Sequence, residues 1–123
     1  MAMLEIQKVH AYYGNIHALK DVSLQVDKEE IVTLIGANGA GKSTMLKTTS
    51  GLLRPRHGSI LFEGEDLTRL LPHEIVIKGI VQVPEGRRVF GRLTVTENLE
   101  MGAFAINDRE LISKNLERVF TLF

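Results

Sequence analysis

Eight residues constrain this chain more than any others. Gly36-Ala37-Asn38-Gly39-Ala40-Gly41-Lys42-Ser43 fills every fixed position of the pattern GxxxxGK[ST]. The stretch before it, Ile31 to Ile35, is apolar and β-branched without alternation, as a parallel strand covered on both faces is. The stretch after it, Lys42 to Ser50, holds no breaker until Gly51, and Arg54-Pro55 forbids continuation, so a short helix is expected. In that order, strand, glycine-rich turn and helix start aim successive backbone N–H groups into a concave nest at a positive helix end, where phosphate oxygens are favoured. Glycine is required because side chains block positive φ angles and close backbone approach. Lys42 then reaches the β- and γ-phosphates, and the Ser43 hydroxyl ligates Mg²⁺. Gly36, Ala37, Asn38, Gly39, Ala40, Gly41, Lys42, Ser43 and Thr44 are the expected contacts of a nucleoside triphosphate.

The remaining pattern predicts an α/β fold with two kinds of strand. Leu4 and Ile6 alternate with Glu5 and Gln7, and Val22, Leu24 and Val26 alternate with Ser23 and Gln25, the signature of an antiparallel layer with one wet face. Ser59 to Phe62 reads as a further strand closed by the turn Glu63-Gly64-Glu65-Asp66, and Ile80 to Val83 as a second parallel one. Helices are expected from Pro72 to Lys78 and around Val95 to Phe104, separated by a Pro/Gly/Arg loop from Pro84 to Arg92. A last helix carries Ile112, Leu116, Val119, Phe120 and Phe123 at helical spacing, with Asn107 as its expected cap and Glu110 three residues on. It runs into Leu122 and Phe123 without a glycine stop, and only two parallel strands precede it, so the chain reads as the N-terminal half of a larger sheet.

Composition narrows the function. With 123 residues, 15 basic against 15 acidic side chains and 44% hydrophobic content, the chain reads as one folded domain. A formal net charge of zero gives no basic field for collecting DNA or RNA, so no nucleic-acid partner is expected. The absence of cysteine excludes disulfides and cysteine zinc sites, and His10, His17, His57 and His73 show no metal-ligand spacing. No apolar run approaches the roughly 20 residues a membrane span needs, and Glu5 and Lys8 break any signal peptide. Arg87, Arg88 and Arg92 read as a solvated basic loop.

The segments Ala11-Tyr12-Tyr13-Gly14, Ala18-Leu19-Lys20-Asp21-Val22-Ser23-Leu24, Ile35 to Thr44, Gly51-Leu52 and Gly58 to Gly64 together resemble the nucleotide-binding subunits of ABC transporters, over the whole chain. More narrowly, Val83-Pro84-Glu85-Gly86-Arg87-Arg88-Val89-Phe90 followed by Leu93 to Leu99 resembles the ATPase subunits of branched-chain amino-acid importers. The resemblance implies a P-loop NTPase fold, with an antiparallel β layer beside an incomplete RecA-like parallel core, and a single partial domain over residues 1–123. It implies ATP and Mg²⁺ as cofactors. Tyr13 takes the position of the aromatic residue that stacks on adenine, with Tyr12 as the competing ring, and Ala18 joins the nucleotide contacts. The family's Mg²⁺-touching loop glutamine falls on Glu85, a harder oxygen ligand, while the nearby glutamine, Gln82, lies inside the expected strand. Besides Lys42, Glu85 is thus the candidate catalytic residue, and with Ser43 the candidate metal ligand.

The same resemblance implies a second ATPase subunit and transmembrane permeases as partners, and a peripheral position on the cytoplasmic face of the membrane. After Glu85 there is no apolar strand ending in Asp-Glu, no Ser-Gly-Gly signature and no histidine, all of which the family uses for hydrolysis. ATP binding is therefore expected of these 123 residues, and turnover is not. A non-hydrolysing nucleotide-binding or interaction module is the competing expectation.

Overall fold

The computed structural model describes residues 2–37, 39–86 and 88–123. The chain forms two compact units, Met1–Gln82 and Val83–Phe123. In the first, β1 (Ala2–Tyr13) and β2 (Ile16–Asp27) form a long antiparallel hairpin. β3 (His57–Phe62) pairs with the other edge of β1, and the two-residue β4 (Glu65–Asp66) pairs with β3, giving the order β2-β1-β3-β4.

Both hairpin strands run further than their alternating segments predict, and the reason is local. Lys8 (φ 47°) and Asp21 (φ 50°) hold left-handed backbone conformations at register shifts of the hairpin. A bulge inserts one residue, so Ile6 and Val9, three apart, both face inward and the simple alternation is broken without ending the strand.

The inner face of the sheet is closed by α1 (Lys42–Thr49) and α2 (Pro72–Lys78). Ile6, Val9, Ala11, Leu19 and Ile60 from the sheet meet Met45 from α1, Ile75 from α2 and Leu67 from the connection between them. α2 has Pro72 in its first turn, where the missing N–H is one that has no helical partner, and stops at Gly79 in a left-handed conformation (φ 111°).

The two expected parallel strands do not form. Ile31 to Ile35 and Ile80 to Val83 pair with no strand among the described residues, and Ile31 and Ile35 are 94% and 92% exposed. The cause is geometric. A parallel strand draws its hydrogen bonds from neighbours on both edges and its burial from helices on both faces, and apolar β-branched sequence alone supplies neither.

The second unit holds α3 (Val95–Gly102) and α4 (Arg109–Leu122). α3 begins with a reciprocal cap, in which Thr94 Oγ1 accepts from the Glu97 N–H at 3.1 Å and Glu97 Oε1 accepts from the Thr94 N–H at 3.0 Å. α4 is capped by Asp108 and not by Asn107. The Asp108 carboxylate accepts from the backbone of Glu110 (3.0 Å) and Leu111 (3.2 Å), and its negative charge suits a helix start better than an amide does. Leu99, Ala103, Ile112, Leu116 and Val119 line a cleft of about 260 Å³ between the two helices.

Candidate nucleotide site

The glycine-rich segment leads into α1 in the first unit. Gly41 is the N-cap, with φ 100°, and no side chain caps the helix. No acidic residue lies in the first turn, so no side chain of that turn offsets the positive helix end. The helical ladder starts with the Met45 N–H donating to the Gly41 carbonyl at 2.8 Å.

A side chain at Gly41 would be crowded. Its Cβ would lie 3.0 Å from Leu19 Cδ2 and 3.3 Å from the Ala18 carbonyl oxygen, besides being strained at that φ. This is how β2 meets the loop, with the Ala18 carbonyl against Gly41. At Gly36 a Cβ would stand 3.1 Å from the Ala40 Cβ. The Ala40 N–H donates to the Ala37 carbonyl at 3.1 Å and closes the turn between them. The expected contact at Asn38 lies outside the described residues.

Lys42 folds back over the loop. Its Nζ donates to the Gly36 carbonyl and, at 3.4 Å, to the Ala37 carbonyl, which puts the one cationic head of the segment above the turn. Ser43 is exposed at the helix start. Thr44, the next residue, is buried at 9% exposure. Uncapped N–H groups, a cation over the loop and glycines at positive φ are a donor set for phosphate. Mg²⁺ keeps several waters and takes few protein oxygens beside those of phosphate, which a lone exposed hydroxyl such as that of Ser43 satisfies. Leu19, Val22, Leu24, Leu34 and Met45 border the loop at a depression of about 140 Å³.

The two candidate stacking rings differ in what they already touch. Tyr13, at the end of β1 opposite Ile16, is 42% exposed. Tyr12 is engaged: the His17 imidazole stacks on its ring with centroids 4.2 Å apart and planes 10° apart, and the Arg56 guanidinium carbon lies 4.1 Å from the same centroid. Arg56 Nη2 also donates to the Gly14 carbonyl at 2.8 Å, and His10 Nδ1 and His17 Nε2 share a hydrogen bond of 3.0 Å.

The histidines therefore gather where their sequence spacing gave no sign of it. His10, His17 and His57 lie on three adjacent strands, with His10 opposite His57 in register. No group of three or more His, Cys, Asp or Glu side chains among the described residues could hold a metal ion. His17 sits below the ordinary histidine pKa, first because it loses water contact, then because His10, Lys20 and Arg56 disfavour a further positive charge.

Gln82 and Glu85 fall in different units. The Ser50 hydroxyl, just past the C-terminus of α1, donates to Gln82 Oε1 at 2.8 Å. Glu85 is exposed in the second unit, and its carbonyl accepts from Arg88 Nε at 3.4 Å. Arg87 lies outside the described residues. Sequence reading overlooked Asn98, whose Oδ1 accepts from the Phe90 N–H at 2.9 Å while its Nδ2 donates to the carbonyls of Phe90 (3.1 Å) and Thr94 (2.8 Å). One side chain thus fastens the end of the arginine loop to α3.

The sequence profile described as ABC transporter matches residues 19–121. The chain is 54% identical over 121 residues to the high-affinity branched-chain amino acid transport ATP-binding protein BraG of Pseudomonas aeruginosa, covering 98% of this chain and 52% of that protein. It is 36% identical over 121 residues to the probable branched-chain amino acid transport ATP-binding protein LivF of Archaeoglobus fulgidus, covering 98% and 51%. Among solved structures, an ATP-binding cassette of an ABC transporter superposes with a TM-score of 0.77 at 33% identity, covering 94% of this chain and 46% of that one. The chain spans about half the length of the curated relatives it matches.

Proposed function

The chain belongs to the ABC transporter family of ATP-binding proteins, and we propose that it forms the nucleotide-binding part of one ATPase domain that energises import of branched-chain amino acids. The observation that carries this reading is the uncapped start of α1, where Lys42 arches over a loop whose Gly41 has a positive φ and would crowd a side chain against β2. Gly36 to Thr44 hold the triphosphate, Tyr13 stacks on the base, and Ser43 ligates Mg²⁺. By the resemblance Glu85 takes the position of the family's metal- and water-contacting glutamine, and the engagement of Gln82 by Ser50 favours that choice over Gln82. Mg²⁺, when bound, would supply charge neutralisation to the phosphates. A second ATPase subunit and transmembrane permeases are the partners, on the cytoplasmic face of the membrane. No helix among the described residues is long and apolar enough to cross a membrane, which suits a peripheral subunit.

Taken alone, the 123 residues bind ATP without turning it over, because residues 86–123 encode neither an Asp-Glu strand end nor a Ser-Gly-Gly signature. Titration with Mg-ATP tests the binding reading. Lys42→Ala, which removes a charge-assisted contact, is expected to weaken affinity at least tenfold. Equal affinity for both forms would place the phosphate site elsewhere.

A further inference from the structure

Tyr13 sits at the tip of a two-residue hairpin, the kind of place where a chain is ordinarily mobile. A stacking ring on a mobile tip loses affinity to the entropy of ordering it. In this chain the tip is held from outside the hairpin. The Arg56 N–H donates to the His10 carbonyl at 2.8 Å, which anchors the residue to β1 just before β3 begins. From there its side chain covers the Tyr12 ring and donates Nη2–H to the Gly14 carbonyl. His17, bonded to His10, stacks on the same Tyr12 ring.

Tyr12 and Gly14 flank Tyr13 directly. Side chains on a strand alternate between faces, so fixing Tyr12 on one face and the Gly14 carbonyl beyond it sets the direction in which Tyr13 leaves the other. The Tyr13 ring itself remains uncovered enough to receive a base. We propose that Arg56 is a positioning residue for nucleotide binding, which orients Tyr13 for base stacking by clamping the residues on either side of it. This rests on the reading of Tyr13 as the stacking residue.

The test compares Mg-ATP with inorganic tripolyphosphate, which has no base, by titration calorimetry on the purified chain. Arg56→Ala is expected to weaken ATP roughly 3- to 10-fold, the factor that ordering one side chain carries, and to leave tripolyphosphate unchanged. Arg56→Gln, which keeps a donor for Gly14 and loses the planar cation, is expected to fall between the two and guards against a folding defect in the alanine form. In a Tyr13→Ala background, Arg56→Ala is expected to cost nothing further. Equal losses for both ligands would show that Arg56 acts as a general cation or on folding, and additive losses in the double variant would show that it acts apart from Tyr13. Either result overturns the proposal. If Tyr13→Ala spares ATP, the stacking reading falls and this proposal with it. A selective Tyr13→Ala loss without an Arg56→Ala loss overturns the proposal alone.

Discussion

The Ser50 hydroxyl and the Gln82 side-chain oxygen, 32 residues apart, meet at 2.8 Å in a half-buried position just beyond the last turn of the phosphate-loop helix. This ties the end of α1 to the segment that runs out of the first unit. A hydrogen bond of this kind contributes about 0.5–1.5 kcal/mol. Ser50→Ala and Gln82→Ala are each expected to lower the unfolding free energy measured in urea by a comparable amount, and the double variant by little more than either. If Gln82 instead served Mg²⁺, Gln82→Ala would weaken the Mg²⁺ dependence of ATP binding while Ser50→Ala left it intact.

Gly41 and Gly39 separate the two roles of glycine in the loop. Both have positive φ, 100° and 86°, so alanine at either carries backbone strain of roughly 1–2 kcal/mol. Only at Gly41 does the added Cβ also meet Leu19 and the Ala18 carbonyl. Gly41→Ala is expected to lower thermal stability more than Gly39→Ala and to abolish Mg-ATP binding by shifting the start of α1. Equal thermal effects of the two substitutions would mean that contact with β2 does not shape the loop.

His17 makes stability depend on pH. Its pKa is lower folded than unfolded, through loss of water contact and the nearby His10, Lys20 and Arg56. At pH between the two values the unfolded chain therefore holds more protons, and stability rises with pH. The contribution is complete above the ordinary histidine value, near 6.5, and is lost as pH falls through it to the lowered folded value. Urea midpoints measured from pH 8 to pH 5 are expected to fall on the acid side, and His17→Gln should flatten that slope. An unchanged slope would assign the acid sensitivity to other groups.

What could be read from the sequence was local. The loop, the helices that start at Lys42 and Pro72, and the alternating parts of the sheet follow from neighbouring residues, whose spacing and turn chemistry decide them. The bulges at Lys8 and Asp21 were hidden because a residue added to a strand looks like the end of its alternation. Ile31 to Ile35 misled for the opposite reason: its composition suits a buried strand, and no pairing forms among the described residues. The grip of Arg56 on Gly14 spans 42 residues, and the histidine group depends on the register of three strands. Neither leaves a mark within any short window of sequence.

The same unpaired segments govern the behaviour of the isolated chain. Ile31, Ile35, Val81 and Val83 present large apolar surface on backbone that lacks ladder partners among the described residues, while β2 is a twelve-residue edge strand. Exposed apolar surface and open strand edges both recruit other chains. Purified residues 1–123 are expected to self-associate with rising concentration, and Ile31→Lys with Ile35→Lys should reduce light scattering without weakening Mg-ATP binding. Phosphate release is expected to stay at background in the monomer and in the associated form, because association of identical chains brings in no Asp-Glu strand end and no signature donor. Sustained turnover would move water activation onto a group within these residues, with Glu85 the first to replace by alanine.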